Sequence, residues 1–375
     1  MEYSFDIKKI KYSNDYEVRK NELKKFVEFY FQKERPKYFI KYEEELTEFI
    51  PDIMSKMSFE ELLYIVPNYY QFCYTVTIEK KFIESQKKIS NKLLKPFSKI
   101  LLNKINELNV EPLEYKLEEN NYLILCRHAL TQGMYAPGKA IFSIVSGLLK
   151  NGKNVLLVSL GSVDKKFIDL KIKFKNLNFL VKEDRSTSYV QLINLRKICT
   201  NFKPVKIITE MPVNIGTALY YSKISSKVIY WSPGFTHVPW FDKVLLVPEI
   251  VNKKLIKNEK FVEIPKSINF DLLRPKVDIK IIEDFKNKYF IKKSDFVIGT
   301  FARYELISKL FIELVIKILE NDKNKKIIIA GSNDRSLANE MLKKFVNKNQ
   351  AIILGFSNVH VLGNCCDVFL DTVPY

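Results

Sequence analysis

Hydrophobic residues recur at helical spacing through the first third of the chain. In "NDYEVRKNELKKFVEFYFQKE", five apolar residues fall on one face of a helix: Val18, Leu23, Phe26, Val27 and Tyr30. The segment "LLKPFSKILLNKINEL" repeats the pattern. Glycine is absent from residues 14–118, and four prolines are expected to separate the helices: Pro36, Pro51, Pro67 and Pro96. The pattern predicts an all-helical N-terminal domain over residues 1–118, with five or six helices.

From residue 121 the pattern changes to short apolar runs alternating with amphipathic segments. The runs "NYLILCRHAL", "NVLLVSLGS", "LNFLVKED", "VKIITEMP", "KVIYWSPGF" and "KVLLVPEI" have strand length, and helical candidates such as "GKAIFSIVSGLLKNGKN" separate them. This alternation is typical of βα units in a parallel sheet, so residues 119–262 are predicted to form a Rossmann-like domain. Working residues are then expected on the loops "RHALTQGMYAPGKA", "SLGSVD", "EMPVNIG" and "SPGFTHVPW", at the carboxyl ends of the strands.

A second αβ pattern follows a proline-punctuated linker at residues 263–277 and occupies residues 278–375. The runs "DFVIGTFARYE", "KKIIIAGSND" and "AIILGF" predict three strands, and Asp367–Thr372 predicts a fourth, buried strand. After that strand only Val373, Pro374 and Tyr375 follow, where a loop and a covering helix are expected. The second Rossmann-like domain is therefore expected to be incomplete.

Charge and cysteine content argue against nucleic-acid binding and against a zinc site. The formal net charge is +18, but only eight of the 61 basic residues are arginine, and the lysines are spread along the whole chain among glutamates. Nucleic-acid readers more often concentrate their charge and favour arginine, so nucleic-acid binding is not expected. The five cysteines match no zinc spacing, which indicates free thiols in a reducing compartment. Without a visible secretory signal or membrane-spanning run, a cytoplasmic location is predicted.

Several common catalytic motifs are missing from the sequence. It contains no HExxH, no Walker loop and no G-x-S-x-G elbow. No D-x-D carboxylate pair suggests a metal-dependent transferase, since "DVFLD" is predicted to be a strand. The sequence therefore predicts neither a metal site nor a cofactor.

The carboxyl-terminal motifs resemble those of the GT-B glycosyltransferases. "VIGTFARYELISKLFIELVIKIL" is similar to the first strand, loop and helix of the donor-binding half, and "IIIAGS" to its second strand. "DVFLDTVPY" resembles the strand before the Gly/Thr-rich loop that closes over the nucleotide-sugar pyrophosphate. It is closest to the branch of O-GlcNAc transferases and cytoplasmic bacterial protein glycosyltransferases. "YWSPGFTHVPWFDKVLLVPE" resembles the acceptor-side loop of the same branch.

The resemblance implies metal-independent transfer of a sugar from a nucleotide-sugar co-substrate to a protein or glycan acceptor. In that branch a Gly-Gly-Thr stretch follows the Pro-aromatic pair, whereas this chain stops at Tyr375. The resemblance therefore implies C-terminal truncation. The alternative function is a non-catalytic fragment or degenerate relative that acts as a binding module.

Donor-site residues follow from the resemblance and from the need to neutralise a diphosphate leaving group with cations or helix N-termini. Arg303 and Lys309 are the candidates for the diphosphate, the alternative being two solvated charges. The nucleotide-binding candidates are Gly331, Ser332, His360, Asp371, Pro374 and Tyr375.

On the first Rossmann-like domain, three residues are catalytic candidates: His128, Glu210 and His237. A histidine there can act as a general base or hydrogen-bond a sugar or phosphate, the alternative being a structural histidine. Glu210 can equally serve as a helix N-cap partner. On the acceptor side, Gly133 and Gly138 allow close backbone approach or form a plain βα turn. Trp240 can stack on the acceptor or pack in the core.

Overall fold

The computed structural model describes residues 5–32, 45–77, 88–131, 136–181, 187–210, 213–231, 240–246, 261–263, 276–302, 307, 309–331, 348–355 and 357–371. These residues fall into two compact units. The first unit contains the described residues up to position 263, and the second contains those from position 276 onward.

The first unit begins with the predicted helices. Their bounds are α1 Ile7–Tyr12, α2 Tyr16–Gln32, α3 Ile50–Ser55, α4 Phe59–Thr77 and α5 Lys95–Glu107. A π-helical turn, Ser90–Leu94, runs directly into α5. Apart from short connections and residues 108–117, the described part of residues 1–118 before β1 is helical, which confirms the prediction of an all-helical segment.

Two predicted helix breaks were wrong. Pro96 is the second residue of α5, and the π-helical turn Ser90–Leu94 continues into that helix without interruption. Pro67 lies inside the 19-residue helix α4, whereas Pro51 lies in the first turn of α3, where a proline is tolerated. Helix α4 continues past Pro67 because it buries apolar side chains both before and after the proline, among them Val66 and Phe72. Tertiary packing of this kind offsets the loss of one backbone hydrogen bond. Pro36 lies outside the described residues.

A seven-stranded parallel sheet forms the rest of the first unit. Its strands are β1 Glu118–Cys126, β2 Asn154–Ser159, β3 Leu177–Val181, β4 Pro204–Thr209, β5 Lys227–Trp231, β6 Lys243–Leu246 and β7 Phe261–Glu263. The spatial order is β3-β2-β1-β4-β5-β6-β7. Its helices are α6 Ala136–Lys150, α7 Lys165–Lys173, α8 Ser188–Phe202 and α9 Ile215–Tyr221. The sequence pattern predicted six of these strands but not the three-residue β7.

The helical segment and the sheet share one hydrophobic core. Phe26 and Phe72 of the helices belong to the same buried cluster as Leu123 and Val228 of the sheet. The Glu60 carboxylate of α4 also accepts hydrogen bonds from the backbone N–H groups of Ser188 and Tyr189, and so caps the first turn of α8. The described helices and sheet therefore fold as one compact unit, while the domain limits read from the sequence stay a prediction.

The second unit is a four-stranded parallel sheet with helices. Its strands are β8 Phe296–Phe301, β9 Lys325–Ala330, β10 Ala351–Leu354 and β11 Val368–Phe369, in the order β10-β9-β8-β11. Its described helices are α10 Ile279–Lys288, α11 Lys309–Glu320 and α12 Val359–Cys365. The helix predicted at "RSLANEMLKKFVNKN" lies outside the described residues.

The last strand forms where it was predicted, but it is not buried. Strand β11 has only two residues, Val368 and Phe369, and the side chains of both are exposed. It pairs with β8 at the edge of the sheet, with Val368 opposite Ile298 and Phe369 opposite Gly299. A continuous apolar run cannot distinguish a central strand from an edge strand, and this explains the error.

The two sheets repeat one topology. Numbered along the chain, the first four strands of each sheet lie in the spatial order 3-2-1-4. The strand order reverses between β1 and β4 in the first unit, and between β8 and β11 in the second. Parallel sheets of this doubly wound type bind ligands at the carboxyl ends of the two strands where the order reverses. Both units are thus Rossmann-like, and each has one such switch point.

A buried ion pair lies in the second unit, and its removal gives a testable prediction. The Asp295 carboxylate accepts a hydrogen bond from Lys292 N–H (2.8 Å) and lies 3.7 Å from Lys326 Nζ, with both charged side chains almost fully buried. Asp295→Asn keeps the acceptor for Lys292 but leaves Lys326 without its counter-charge. We expect the second unit to lose about 2 kcal/mol of unfolding free energy.

Hydrogen exchange of the β8 and β9 amides measures this loss. Where exchange follows unfolding of the unit, about 2 kcal/mol corresponds to roughly thirtyfold faster exchange. The matched control is Asp284→Asn, which changes an exposed aspartate of α10 in the same unit. Equal exchange in the two variants would contradict a stabilising role for the ion pair.

Candidate functional site

The switch point of the first sheet brings together the residues that follow β1 and β4. Strand β1 ends at Cys126 and is followed by Arg127, while β4 ends at Thr209 and is followed by Glu210. The backbone N–H of Arg127 donates a hydrogen bond to Glu210 Oε1 (3.0 Å). The Glu210 carboxylate therefore joins the two strand ends where a doubly wound sheet binds its ligand.

His128 lies at the same edge, against the loop that follows β2. Its Nδ1 accepts a hydrogen bond from the backbone N–H of Ser162 (3.3 Å). The imidazole can approach this closely only because residue 161 is glycine. A Cβ at Gly161 would lie 2.4 Å from His128 Nδ1 and 2.9 Å from the carbonyl oxygen of Arg127. Gly161 thus fixes the position of the imidazole by having no side chain.

The protonation state of His128 follows from these contacts. Burial, and next the charge of Arg127, hold the pKa of His128 below its ordinary value. The imidazole is therefore neutral at pH 7. Because Nδ1 accepts the Ser162 hydrogen bond, its single proton lies on Nε2. This tautomer is suited to donate a hydrogen bond, and it could accept a proton at Nδ1 only by giving up Ser162.

A second set of hydrogen bonds holds the loop that carries His128. Both the backbone N–H and the hydroxyl of Thr131 donate to Asp164 Oδ2, the hydroxyl at 2.6 Å. Asp164 also caps α7. The loop that follows β1 is therefore tied to the loop that follows β2. Sequence reasoning identified the loop "SLGSVD" but not Gly161 or Asp164, and a glycine two residues after the end of a strand was the available signal.

The switch point of the second sheet lies between β8 and β11. Leu370 N–H donates to the carbonyl oxygen of Gly299 (2.9 Å), and the Thr300 hydroxyl donates to the carbonyl oxygen of Leu370 (2.7 Å). These bonds fix the chain just before Asp371, which is exposed. Asp371 thus follows the fourth strand of its sheet, as Glu210 does in the first unit.

Three other predicted donor-site residues lie at the carboxyl edge of the second sheet. Lys309 is the first residue of α11; its side chain is 76% exposed and its ammonium group lies 4.0 Å from Glu313. Gly331 directly follows β9, and its N–H donates to the carbonyl oxygen of Leu354 (3.4 Å). His360 lies in the first turn of the short helix α12, after β10. The topology therefore gathers Lys309, Gly331, His360 and Asp371 along one edge.

The remaining predicted residues are placed elsewhere or lie outside the described chain. Trp240 is buried in the core of the first unit, and its indole N–H donates to the Thr217 hydroxyl (3.3 Å). Trp240 thus packs in the core, which was the sequence-based alternative to stacking on the acceptor. Gly138 lies in the first turn of α6, which begins at Ala136. The predicted residues outside the described chain are Gly133, His237, Arg303, Ser332, Pro374 and Tyr375.

The described ranges contain neither a metal-ligand cluster nor a membrane-spanning helix. No three of the histidine, cysteine, aspartate and glutamate side chains described there are grouped so that they could hold a metal ion. No helix in the same ranges is both long and apolar enough to span a bilayer. All five cysteines are free thiols, as the sequence predicted.

Comparison with known proteins identifies the fold. The sequence matches no established protein family and no curated protein. Among solved structures, a glycosyltransferase from Rickettsia africae is similar over 67% of this chain and 73% of its own, with 15% identity and a TM-score of 0.51. A mutant of the O-GlcNAc transferase from Thermobaculum terrenum is similar over 96% of this chain and 69% of its own, with 12% identity and a TM-score of 0.51. The predicted GT-B glycosyltransferase fold is therefore confirmed.

Proposed function

We propose that this chain is a glycosyltransferase that takes a sugar from a nucleotide-sugar donor and transfers it, without a metal ion, to a protein or glycan acceptor. The observation that carries the proposal is the pair of Rossmann-like sheets, each with a polar switch point, in a chain that shares its fold with an O-GlcNAc transferase over 96% of its length. A cytoplasmic location stays a prediction.

The second unit is proposed to bind the donor. Departure of the nucleoside diphosphate develops negative charge, which a cation at a helix N-terminus stabilises. Lys309, at the first position of the 12-residue helix α11 that follows β8 in the sequence, combines these two features. Arg303, which follows β8 in the sequence, is proposed to add a second cation. Gly331, His360 and Asp371 are proposed to contact the nucleotide from neighbouring loops.

The first unit is proposed to assist the acceptor. His128 in its neutral Nε2–H tautomer supports a role as hydrogen-bond donor to a sugar or phosphate oxygen, rather than as the general base. Glu210 is proposed as a carboxylate that orients the acceptor at the switch point while it holds the backbone of Arg127. The proposed role of His128 depends on its contact with Ser162, and that of Glu210 depends on its contact with Arg127. Neither role requires a metal ion.

Equilibrium binding of labelled nucleotide sugars tests the proposal. We expect one of a panel of uridine, guanosine and adenosine diphosphate sugars to bind, and Lys309→Ala to weaken that binding roughly tenfold, because the variant loses one charge-assisted contact to phosphate. The matched control is Lys317→Ala, which removes an exposed lysine from the last turn of the same helix. A protein that binds none of the panel, or that loses affinity equally in both variants, contradicts the proposed function.

A further inference from the structure

Helix α7 of the first unit exposes two large apolar side chains at its outermost positions. The helix packs on β3 through its inward face, where Phe167 and Leu170 are buried. Ile168 is 49% exposed and Ile172 is 79% exposed. They are four residues apart, so they lie side by side on the outward face. Burial of the inward face thus leaves a second apolar stripe directed at solvent.

Exposed lysines surround these two isoleucines. Lys165, Lys171 and Lys173 belong to α7 itself, and Lys175 lies two residues beyond its end; all four are exposed. The ammonium group of Lys171 lies 5.6 Å from the centre of the Phe179 ring, so its stem follows the apolar surface of β3. The outward face therefore has an apolar centre and a basic rim, and we define it as the α7 face: Ile168, Ile172, Lys165, Lys171, Lys173 and Lys175.

Acidic side chains do little to reduce this positive charge. On α7 the one carboxylate is Asp169, which is exposed on the same side as the isoleucines. Asp164, just before the helix, accepts hydrogen bonds from Lys166 N–H and from Thr131, so its charge is directed toward the helix N-terminus and the β1 loop. Four lysines against one outward carboxylate leave the α7 face with a net positive charge.

The combination of an apolar centre and a lysine rim selects one class of partner. An anionic bilayer surface offers negative headgroups to the lysines and an acyl boundary to the isoleucines. Self-association through the same face would bring two lysine rims together, which is electrostatically unfavourable. A purely ionic partner would leave Ile172 in water. A surface that is anionic and has an apolar layer beneath satisfies both the charge and the apolar stripe.

We propose that the α7 face docks the protein reversibly on an anionic lipid surface. The docking is peripheral: the isoleucines enter the headgroup and acyl boundary, while the lysines remain among the headgroups. Helix α7 follows the loop that contacts His128. The inference concerns lipid binding and does not depend on the proposed sugar transfer.

Vesicle co-sedimentation of the full chain tests the docking. We expect binding to vesicles of phosphatidylglycerol and phosphatidylcholine in equal parts, and little binding to phosphatidylcholine alone. Ile168→Ser with Ile172→Ser should reduce the binding constant about tenfold, and so should Lys171→Glu with Lys173→Glu. The second pair keeps the test valid if serine substitution alters folding. The binding should also weaken as salt is raised.

The matched control is Ile279→Ser with Ile281→Ser, which changes two exposed isoleucines next to Lys280 on α10 of the second unit. This control should bind as the unchanged protein does. Equal loss in the control pair would show that exposed isoleucines outside the α7 face contribute as much to binding, and would overturn the inference. Equal binding to neutral vesicles would overturn it as well. So would a dimer, measured by sedimentation velocity, that the Ile168 and Ile172 substitutions dissociate, because the face would then bind a second copy.

Discussion

Replacing Gly161 by alanine is expected to reduce the proposed sugar transfer roughly a hundredfold while leaving the protein folded. A Cβ at this position would overlap His128 Nδ1 at 2.4 Å, and the carbonyl oxygen of Arg127 at 2.9 Å prevents the backbone from simply moving away. The imidazole must therefore leave the N–H of Ser162. Misplacement of a functional group by about 1 Å is enough for a loss of this size.

Nuclear magnetic resonance of the histidine side chains measures the displacement independently of activity. The chain has only three histidines, so the His128 signals can be assigned by substitution. In the unchanged protein we expect the Nε2–H tautomer at pH 7 and a pKa below the ordinary histidine value. Gly161→Ala should change both. An unchanged His128 spectrum in that variant would refute the placement, whatever happens to activity.

A control variant and a double variant distinguish displacement of the His128 imidazole from a general loss of structure. Gly147→Ala changes a glycine of α6 around which an added Cβ meets nothing within 4 Å, so it should leave activity unchanged. If Gly161 acts through His128, adding Gly161→Ala to His128→Ala should cost little further activity. Fully additive losses would instead mean that Gly161 acts through the Arg127 backbone.

Replacing Arg196 by methionine is expected to lower the unfolding free energy of the first unit by roughly 3 kcal/mol. Arg196 of α8 is buried, and its guanidinium donates to the carbonyl oxygens of Ser222 and Glu111. These carbonyls belong to two chain segments that lie side by side, with Leu113 N–H donating to the carbonyl oxygen of Lys223 (2.9 Å). Methionine retains the apolar stem but leaves the buried carbonyl of Ser222, and the carbonyl of the exposed residue Glu111, without these donors.

Urea unfolding followed by circular dichroism measures this loss. The control is Lys197→Met, which changes the next residue of the same helix, an exposed lysine, and should stay within about 0.5 kcal/mol of the unchanged protein. Arg196→Lys should fall between the two, because one ammonium group cannot reproduce the fork of a guanidinium. A cost for Arg196→Met no larger than that for Lys197→Met would show that the segments are held by other contacts.

Hydrophobic periodicity predicted most of the helices and strands correctly. It failed where tertiary packing outweighs the local backbone preference of a residue. The change from helical spacing to strand-length runs near residue 121 matches the start of β1 at Glu118. The expected break at Pro67 failed because the apolar face of α4 is buried on both sides of it. Strand β7 escaped notice because three residues are too few to establish a period.

The sequence by itself determined which residues could carry function, because strand-end loops can be read from pattern alone. It placed His128 and Glu210 after strands, and Lys309 at a helix start. Only the tertiary structure decided which strands lie side by side, because the order 3-2-1-4 arises from long-range pairing that leaves no local signal. That pairing brings Glu210 to the backbone of Arg127, and it makes a glycine 33 residues beyond His128 the neighbour that fixes the imidazole.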